Sequence, residues 1–387
     1  MTTIPTHVSE NVVEIDLAAV RSNYLTAKRL LPSGQRIMAV VKSDGYGHGI
    51  VEVSKELVAL GCDFFAVFNL EEGMKLREVG IRTPILIMKG VSPGQAALCV
   101  KHDLTPAVFD LEVARLLNEA GLGGKDPFKV HVKIDTGLGR LGVPHADTAE
   151  FLRTIQRMRG LNVDGVMSHL SVPGPNDYTR MQIVKFEEAL AIAREMGFRP
   201  VNNSVGNSVV LISRLDGHGD LVRLGIFLYG GTSLSVDESG EGELEPAMRF
   251  KTRIIQVKSV DAGASISYGR TYITDGPQTI ATIPVGYNDG YSRLLSNAAQ
   301  ALVRGKRVRV AGRICMNLTM LNVTGLPDVR VGEEVVLLGK QGKEEITVAE
   351  LAAKADTISY ELLCSLGCRN ERVYVNREHE REKIPRP

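Results

Sequence analysis

The stretch Ile37-Met-Ala-Val-Val-Lys42, continued by Ser43-Asp-Gly-Tyr-Gly-His-Gly49, carries three signals in order. Its apolar run suits a strand buried on both faces, as parallel sheets contain. The run ends on a lysine, and three glycines within seven residues then interrupt it. Directly beyond, Ile50–Leu60 sets apolar residues at helical spacing. Buried strand, turn and amphipathic helix make one βα unit.

The unit repeats along the chain. Further apolar runs fall at Phe64–Phe68, Ile85–Met88, Leu104–Phe109, Lys129–Ile134, Val163–Ser168, Arg199–Asn203 and Leu221–Leu228, the seventh being the weakest. Helical patterns lie between most of them, at Leu70–Val79, Leu111–Ala120, Ala149–Met158 and Tyr178–Met196. Eight such strands predict an α/β fold, a (β/α)8 TIM-type barrel over residues 17–242. After the loop-like Ser239–Pro246 the pattern changes to alternating strands, Phe250–Val260, Thr279–Pro284, Val308–Ile314, Leu318–Val323 and Glu334–Leu338, with one helix at Val348–Lys354. Residues 243–387 therefore read as a mostly β domain, which the strand-like Val12–Asp16 of segment 1–16 is expected to join.

Composition bounds the function. Over 387 residues, 46 Lys+Arg against 45 Asp+Glu give a net charge of +1, so no electrostatic case exists for nucleic acid or an anionic membrane. Trp is absent and aromatics are 5%, which argues against a stacking platform for single strands. No apolar run approaches the roughly 18 residues of a membrane helix. The first residues show neither a basic n-region nor an apolar h-region, so a cytoplasmic protein of small molecules is expected. Five scattered cysteines fit reduced thiols. Cys364 and Cys368 could share a helix face, but two sulfurs without a second pair make a poor zinc site, and no metal is expected.

In a barrel, chemistry collects at the C-terminal ends of the strands. Lys42 ends the first strand, Lys133 the fifth and His169 the sixth; Asn207-Ser208 follow the seventh and Arg223 lies in the eighth. A lysine ending an apolar strand is costly unless it is paired, shifted in pKa or used covalently, and here there are two. Taken singly the motifs stay open. The glycines of Asp44–Gly49 either shape a turn or let backbone and the Tyr46 hydroxyl approach a phosphate. Asp135–Gly142 is an ordinary loop or a binding loop, and His169 a satisfied core histidine or part of a site. Together, a Schiff-base lysine beside phosphate-type turns suggests pyridoxal 5′-phosphate.

The whole chain resembles alanine racemase, a fold-type III pyridoxal-phosphate enzyme. The carrying motifs are Ala39–Gly49, Lys133–Gly142, Arg223-Leu-Gly-Ile226 with Leu228-Tyr-Gly230, Ser267-Tyr-Gly269, Ile283–Gly290, Gly312-Arg-Ile-Cys-Met316 and Ile358-Ser-Tyr-Glu361, in family order across both domains. The resemblance implies that Lys42 carries the cofactor and is one acid/base group, with Tyr268 the other on the opposite face. It implies that Tyr46, Ser208, Tyr360 and the backbone of Gly225 and Ile226 hold the phosphate, with Asn207 in the cofactor shell. His169 would hydrogen-bond Arg223, which faces the pyridine nitrogen. Arg140 would bond the cofactor's phenolic oxygen and, with the Met316 backbone, take the substrate carboxylate. Lys133 matches a position often carbamylated in the family. Tyr287, Arg293 and Arg313 would line the entry channel, and a homodimer would share its sites through Tyr268.

The implied reaction is L-alanine to D-alanine, supplying peptidoglycan. Three stretches depart from the commonest pattern: Asn317 in place of Asp, the loop His169–Asp177, and Asn202–Ser208. The alternatives are a broader-specificity or serine racemase, a fold-type III decarboxylase, which would be expected to set an acid, not Arg223, against the ring nitrogen, and a non-catalytic pyridoxal-phosphate carrier, against which the second domain and Tyr268 argue.

Overall fold

The computed structural model describes residues 10–172, 174–213, 215, 219–231 and 244–376. The expected domain boundary at 242/243, most of the loop Ser239–Pro246, and Pro173 of the loop after His169 lie outside them. By contacts the chain divides into two units. One holds Arg21–Gly45 and Ile50–Leu244; the other holds residues up to Val20, Tyr46–Gly49 and Glu245 onward.

The first unit is a parallel barrel. In ring order its strands are Leu221–Leu224, Arg36–Val40, Phe64–Val67, Ile85–Ile87, Thr105–Val108, Phe128–Asp135 and Leu161–Met167. Their middles are buried throughout, which is why each read as a continuous apolar run. Polar side chains start the intervening helices by accepting their free N–H groups: Asn69 from Glu72, Asp110 from Val113 and Asn176 from Thr179.

The seventh stave corrects the expectation for Arg199–Asn203, which is not a strand. Pro200 has no N–H to give to a ladder. Val201 and Asn202 both donate instead to the carbonyl of Asp164, and the Asn203 side chain accepts from Val166 N–H. The ring closes slightly later. Ser204 bridges Met167 and Gly219, and Asn207 bridges Arg223. Ser204 N–H donates to Val166, Ser168 to Ser204, and Arg223 to Gly206. The seventh stave is thus closed by isolated bridges and single bonds, not by a continuous ladder.

The second unit is built on a ten-stranded, mostly antiparallel sheet. Val12–Asp16 lies inside it, antiparallel to Met248–Arg253 and parallel to Glu371–Val375. The run expected as one strand over Phe250–Val260 is two: Met248–Arg253 pairs with Glu334–Gln341, whereas Gln256–Val260 pairs with Gln278–Ile283. Buried Ile254 marks the change of neighbour. Strands at Gln300–Val303, Glu344–Ile346 and Glu371–Val375 and the helix Ser359–Arg369 add to those expected. Among the described residues no helix is long and apolar enough to cross a membrane.

Candidate active site

Only Val41 separates Lys42 from the end of the first barrel strand, and the chain after Lys42 turns the wrong way. Ser43 (φ 54°, ψ 48°), Asp44 (51°, 48°), Gly45 (65°, 40°), Tyr46 (φ 54°) and Gly47 (φ 83°) are all left-handed. For a residue with a Cβ this conformation costs about 1–2 kcal/mol, so Ser43, Asp44 and Tyr46 together hold a few kcal/mol of strain. Local bonds resist it. Gly45 N–H donates to Val41 carbonyl at 2.8 Å, and Asp44 Oδ1 accepts from Ile50 N–H at 3.0 Å.

Arg223 is the buried centre of the mouth. Its Nη1 donates to the Ser204 carbonyl and hydroxyl at 2.8 and 2.6 Å. Its Nη2 donates to the Ser168 carbonyl at 2.7 Å, to His169 Nδ1 at 3.1 Å and to the Val205 carbonyl at 3.3 Å. Burial brings its pKa to about 10, which leaves it charged at neutral pH. His169 is driven down to about 3, first by burial and then by Arg223, Arg140, Lys133 and Lys42. Lys133 donates to the Met88 carbonyl at 3.3 Å. Burial, Arg223, Arg140 and Lys42 lower it to about 8, against a smaller opposing pull from Asp135.

The neighbouring loops are tied in the same way. Asp135 accepts from the N–H groups of Gly137, Leu138 and Gly139, shaping the loop that presents exposed Arg140. Tyr178 hydroxyl donates to the Gly137 carbonyl at 2.7 Å. Fully buried Gln182 donates to the His169 carbonyl and accepts from Ser171, and Thr136 and Ser168 hydroxyls meet at 2.8 Å. Asn207 caps the short helix Ser208–Ile212 by accepting from Val209 and Val210 N–H, and Ser208 Oγ accepts from Gly225 N–H at 3.3 Å, with Ile226 next in the chain. Lys42, Lys133, Arg140, His169, Asn207, Ser208, Arg223, Gly225 and Ile226 thus belong to this one unit.

The remaining candidates belong to the other unit. Buried Tyr46 and half-buried Tyr360 set their rings 5.8 Å apart, tilted by 48°. Loops carrying the rest are laced together: Ser267 Oγ donates to the Arg313 carbonyl, Tyr287 N–H to Cys315, Asn288 N–H to Met316, and Ile314 N–H to Ser296 Oγ. Arg293 is exposed on the neighbouring turn and Arg313 half-buried. Tyr268, 72% exposed, follows a serine in a backbone region that is essentially glycine's, φ 65° and ψ −174°.

Comparison with known proteins follows this division. Residues 15–233 match the family model described as alanine racemase, N-terminal domain, and residues 247–374 the alanine racemase C-terminal domain. The chain belongs to the alanine racemase family. It is 44% identical to an alanine racemase of Syntrophobacter fumaroxidans, over 92% of this chain and 95% of that one. Among solved structures, an alanine racemase from Streptomyces lavendulae matches with a TM-score of 0.91 at 31% identity, covering 97% of this chain and 99% of that one. The enzyme from Bacillus anthracis with bound L-Ala-P matches with a TM-score of 0.88 at 32% identity, covering 96% of each chain. The fold is that of the family, a TIM-like barrel and a mostly β domain.

Sequence reasoning singled out no role for several residues that build this alanine racemase-family barrel mouth. Ser204, Gln182 and Thr136 are small or neutral and look ordinary in a string. Glu72 was not singled out either, yet its carboxylate reaches Ser43 and Phe68.

Proposed function

We propose that this protein interconverts L-alanine and D-alanine at a pyridoxal 5′-phosphate site, with Lys42 and Tyr268 as the two proton-transfer groups. The donor set carries the assignment. Four cations, Arg223, Arg140, Lys133 and Lys42, act together on one imidazole, and such a cluster suits a ligand bearing a phosphate and a carboxylate. Pyridoxal phosphate, when bound, supplies a carbonyl carbon for the substrate's amino group and a conjugated ring that accepts the electron pair released with the α-proton.

Lys42 holds the cofactor and moves the proton of the D-isomer; Tyr268 moves that of the L-isomer from the other face, since inversion needs acid/base groups on both sides of a planar carbon. Tyr46, Ser208, Tyr360 and the backbone of Gly225 and Ile226 take the phosphate, with Asn207 shaping that turn. Arg140 and the Met316 backbone take the carboxylate. Arg223 would face the pyridine nitrogen of the bound group; an arginine does not hand over a proton, so Arg223 would leave that nitrogen unprotonated and favour racemisation over decarboxylation.

Lys133 is the carbamate candidate. Its lowered pKa supplies neutral amine, which adds carbon dioxide, loses a proton and becomes an anion beside Arg140. A homodimer is proposed because Tyr268, Met316, Leu294 and Leu318 form an exposed, largely apolar set that a second copy would cover, bringing Tyr268 to its partner's site. Tyr287, Arg293 and Arg313 line the channel beside it. The cellular role is D-alanine supply for peptidoglycan in the cytoplasm.

The test is purified protein with L-alanine, L-serine and L-lysine, following D-isomer and carbon dioxide. D-alanine as main product, with an absorbance band near 420 nm that is lost in Lys42→Ala, is the expected result. Carbon dioxide without D-isomer overturns the proposal, and a preference for serine overturns its substrate.

A further inference from the structure

The left-handed turn after Lys42 needs an external restraint, and one carboxylate provides it. Glu72 Oε1 accepts from Ser43 N–H at 2.6 Å, while its Oε2 accepts from Phe68 N–H at 2.7 Å. Ser43 is the first left-handed residue, and Phe68 is the first residue beyond the second barrel strand. The glutamate is itself fixed, because its own N–H donates to Asn69 Oδ1 at 2.9 Å at the start of the helix Leu70–Glu78. Charge-assisted bonds of this kind are short and stronger than neutral ones, and here two converge on one group.

We propose that Glu72 is a positioning residue for Lys42: by bonding the amides of Ser43 and Phe68 together, it holds the left-handed turn that directs the Lys42 side chain. The inference rests on the assignment of Lys42 as the cofactor lysine. Released from Glu72, Ser43 and Asp44 gain by returning to right-handed or extended backbone, and that rotation moves the peptide plane attached to Lys42. A displacement of about 1 Å at a reacting group costs on the order of 10²-fold in rate.

Glu72→Gln keeps the shape but sets an amide NH2 against one of the two N–H groups, so one bond is lost and two donors face each other. Glu72→Asp keeps the charge and falls one methylene short of spanning both amides. In apoprotein, hydrogen exchange over residues 43–46 is expected to rise at least about tenfold in either variant while the rest of the barrel is unchanged. In holoenzyme, borohydride trapping at Lys42 slows. Turnover falls about tenfold or more with KM changed far less, and the α-deuterium effect grows for D-alanine, whose proton Lys42 handles, and not for L-alanine. Adding Ser43→Gly, which adopts positive φ freely, is expected to restore part of the loss.

Unchanged exchange and trapping in both variants overturns the inference, as does a double variant no better than Glu72→Gln. Failure to trap the cofactor at Lys42 in the unaltered protein overturns the cofactor-lysine assignment, and the role of Glu72 falls with it; normal trapping there, unaffected by either variant, overturns the Glu72 role alone.

Discussion

Arg223 Nη2 donates to His169 Nδ1 across 3.1 Å. A guanidinium has no acceptor, so the imidazole must offer its lone pair at Nδ1 and carry its proton on Nε2. The neighbouring cations work in the same direction as burial, and His169 stays neutral down to about pH 3. A neutral ring beside a charged guanidinium is thus a feature of the mouth at neutral pH.

That neutrality weakens the fold in acid. His169 titrates near 6.5 when unfolded and near 3 when folded, so between those values the unfolded chain binds a proton that the folded one refuses. Stability therefore rises with pH through this window and is lost as pH falls from about 6.5 toward 3. His169→Gln, whose amide oxygen can still accept from Arg223, removes the contribution. Its urea midpoint is expected to fall less than that of the unaltered protein between pH 6.5 and 4; parallel curves would count against this reading.

Lys133 gives the opposite end of the scale. Its pKa falls from 10.5 to about 8 on folding, so the protonated form is penalised in the folded state at every pH below about 8, and the penalty fades as pH rises toward 10.5. The difference corresponds to at most about 3 kcal/mol at neutral pH. In buffer freed of carbon dioxide, Lys133→Met is expected to be the more stable protein at pH 7. Bicarbonate closes the gap by stabilising only the unaltered chain, and ¹³C-bicarbonate adds a carbamate resonance to that chain alone. No bicarbonate effect at pH 8 would sink the carbamate proposal.

Ser267 holds Tyr268 through a strained backbone and a hydroxyl bond of 2.5 Å to the Arg313 carbonyl. Ser267→Gly loses the bond but takes the backbone conformation freely, whereas Ser267→Ala keeps the strain and loses what opposes it. Since both variants lose the bond, the alanine variant, which keeps the strain, is expected to be less stable than the glycine variant by about 1 kcal/mol. It should also show the larger α-deuterium effect with L-alanine, whose proton is assigned to Tyr268. Equal stability and equal isotope effects would show that the latch has no such role.

Legibility in the sequence followed burial. Strands covered on both faces read directly as apolar runs, and Ile37–Val41 or Ile85–Ile87 could hardly be anything else. Arg199–Asn203 misled because Pro200 has no N–H to give and two asparagines follow, so Asp164 and Val166 are met by a mixture of backbone N–H groups and asparagine side chains and not by a regular ladder. Phe250–Val260 misled because alternation continues through Ile254 while the partner strand changes. Within the mouth, Arg223 and His169 were visible because charged or titratable groups stand out at strand ends. Glu72 was not, since a carboxylate's reach to an amide 29 residues away depends on two adjacent strands ending at the same height. Nor could spacing reveal that Ser43 to Gly47 would turn left-handed, because two of those five residues are glycine and the rest adopt it only under restraint.

The proposed sharing of sites between subunits yields a sharp expectation. If Tyr268 of one copy serves the barrel of the next, a Lys42→Ala homodimer and a Tyr268→Ala homodimer each lack one proton-transfer group at both sites. Exchanged into a mixed dimer, the two chains place both defects in one site and leave the other with Lys42 and Tyr268 intact. Racemisation should then recover to about a quarter of the unaltered rate in an equal mixture, since half the dimers are mixed and half of their sites are whole. Native mass spectrometry establishes that mixed dimers have formed. If they have, and the mixture stays as inactive as its parents, each chain must complete its own site and the exposed setting of Tyr268 needs another explanation.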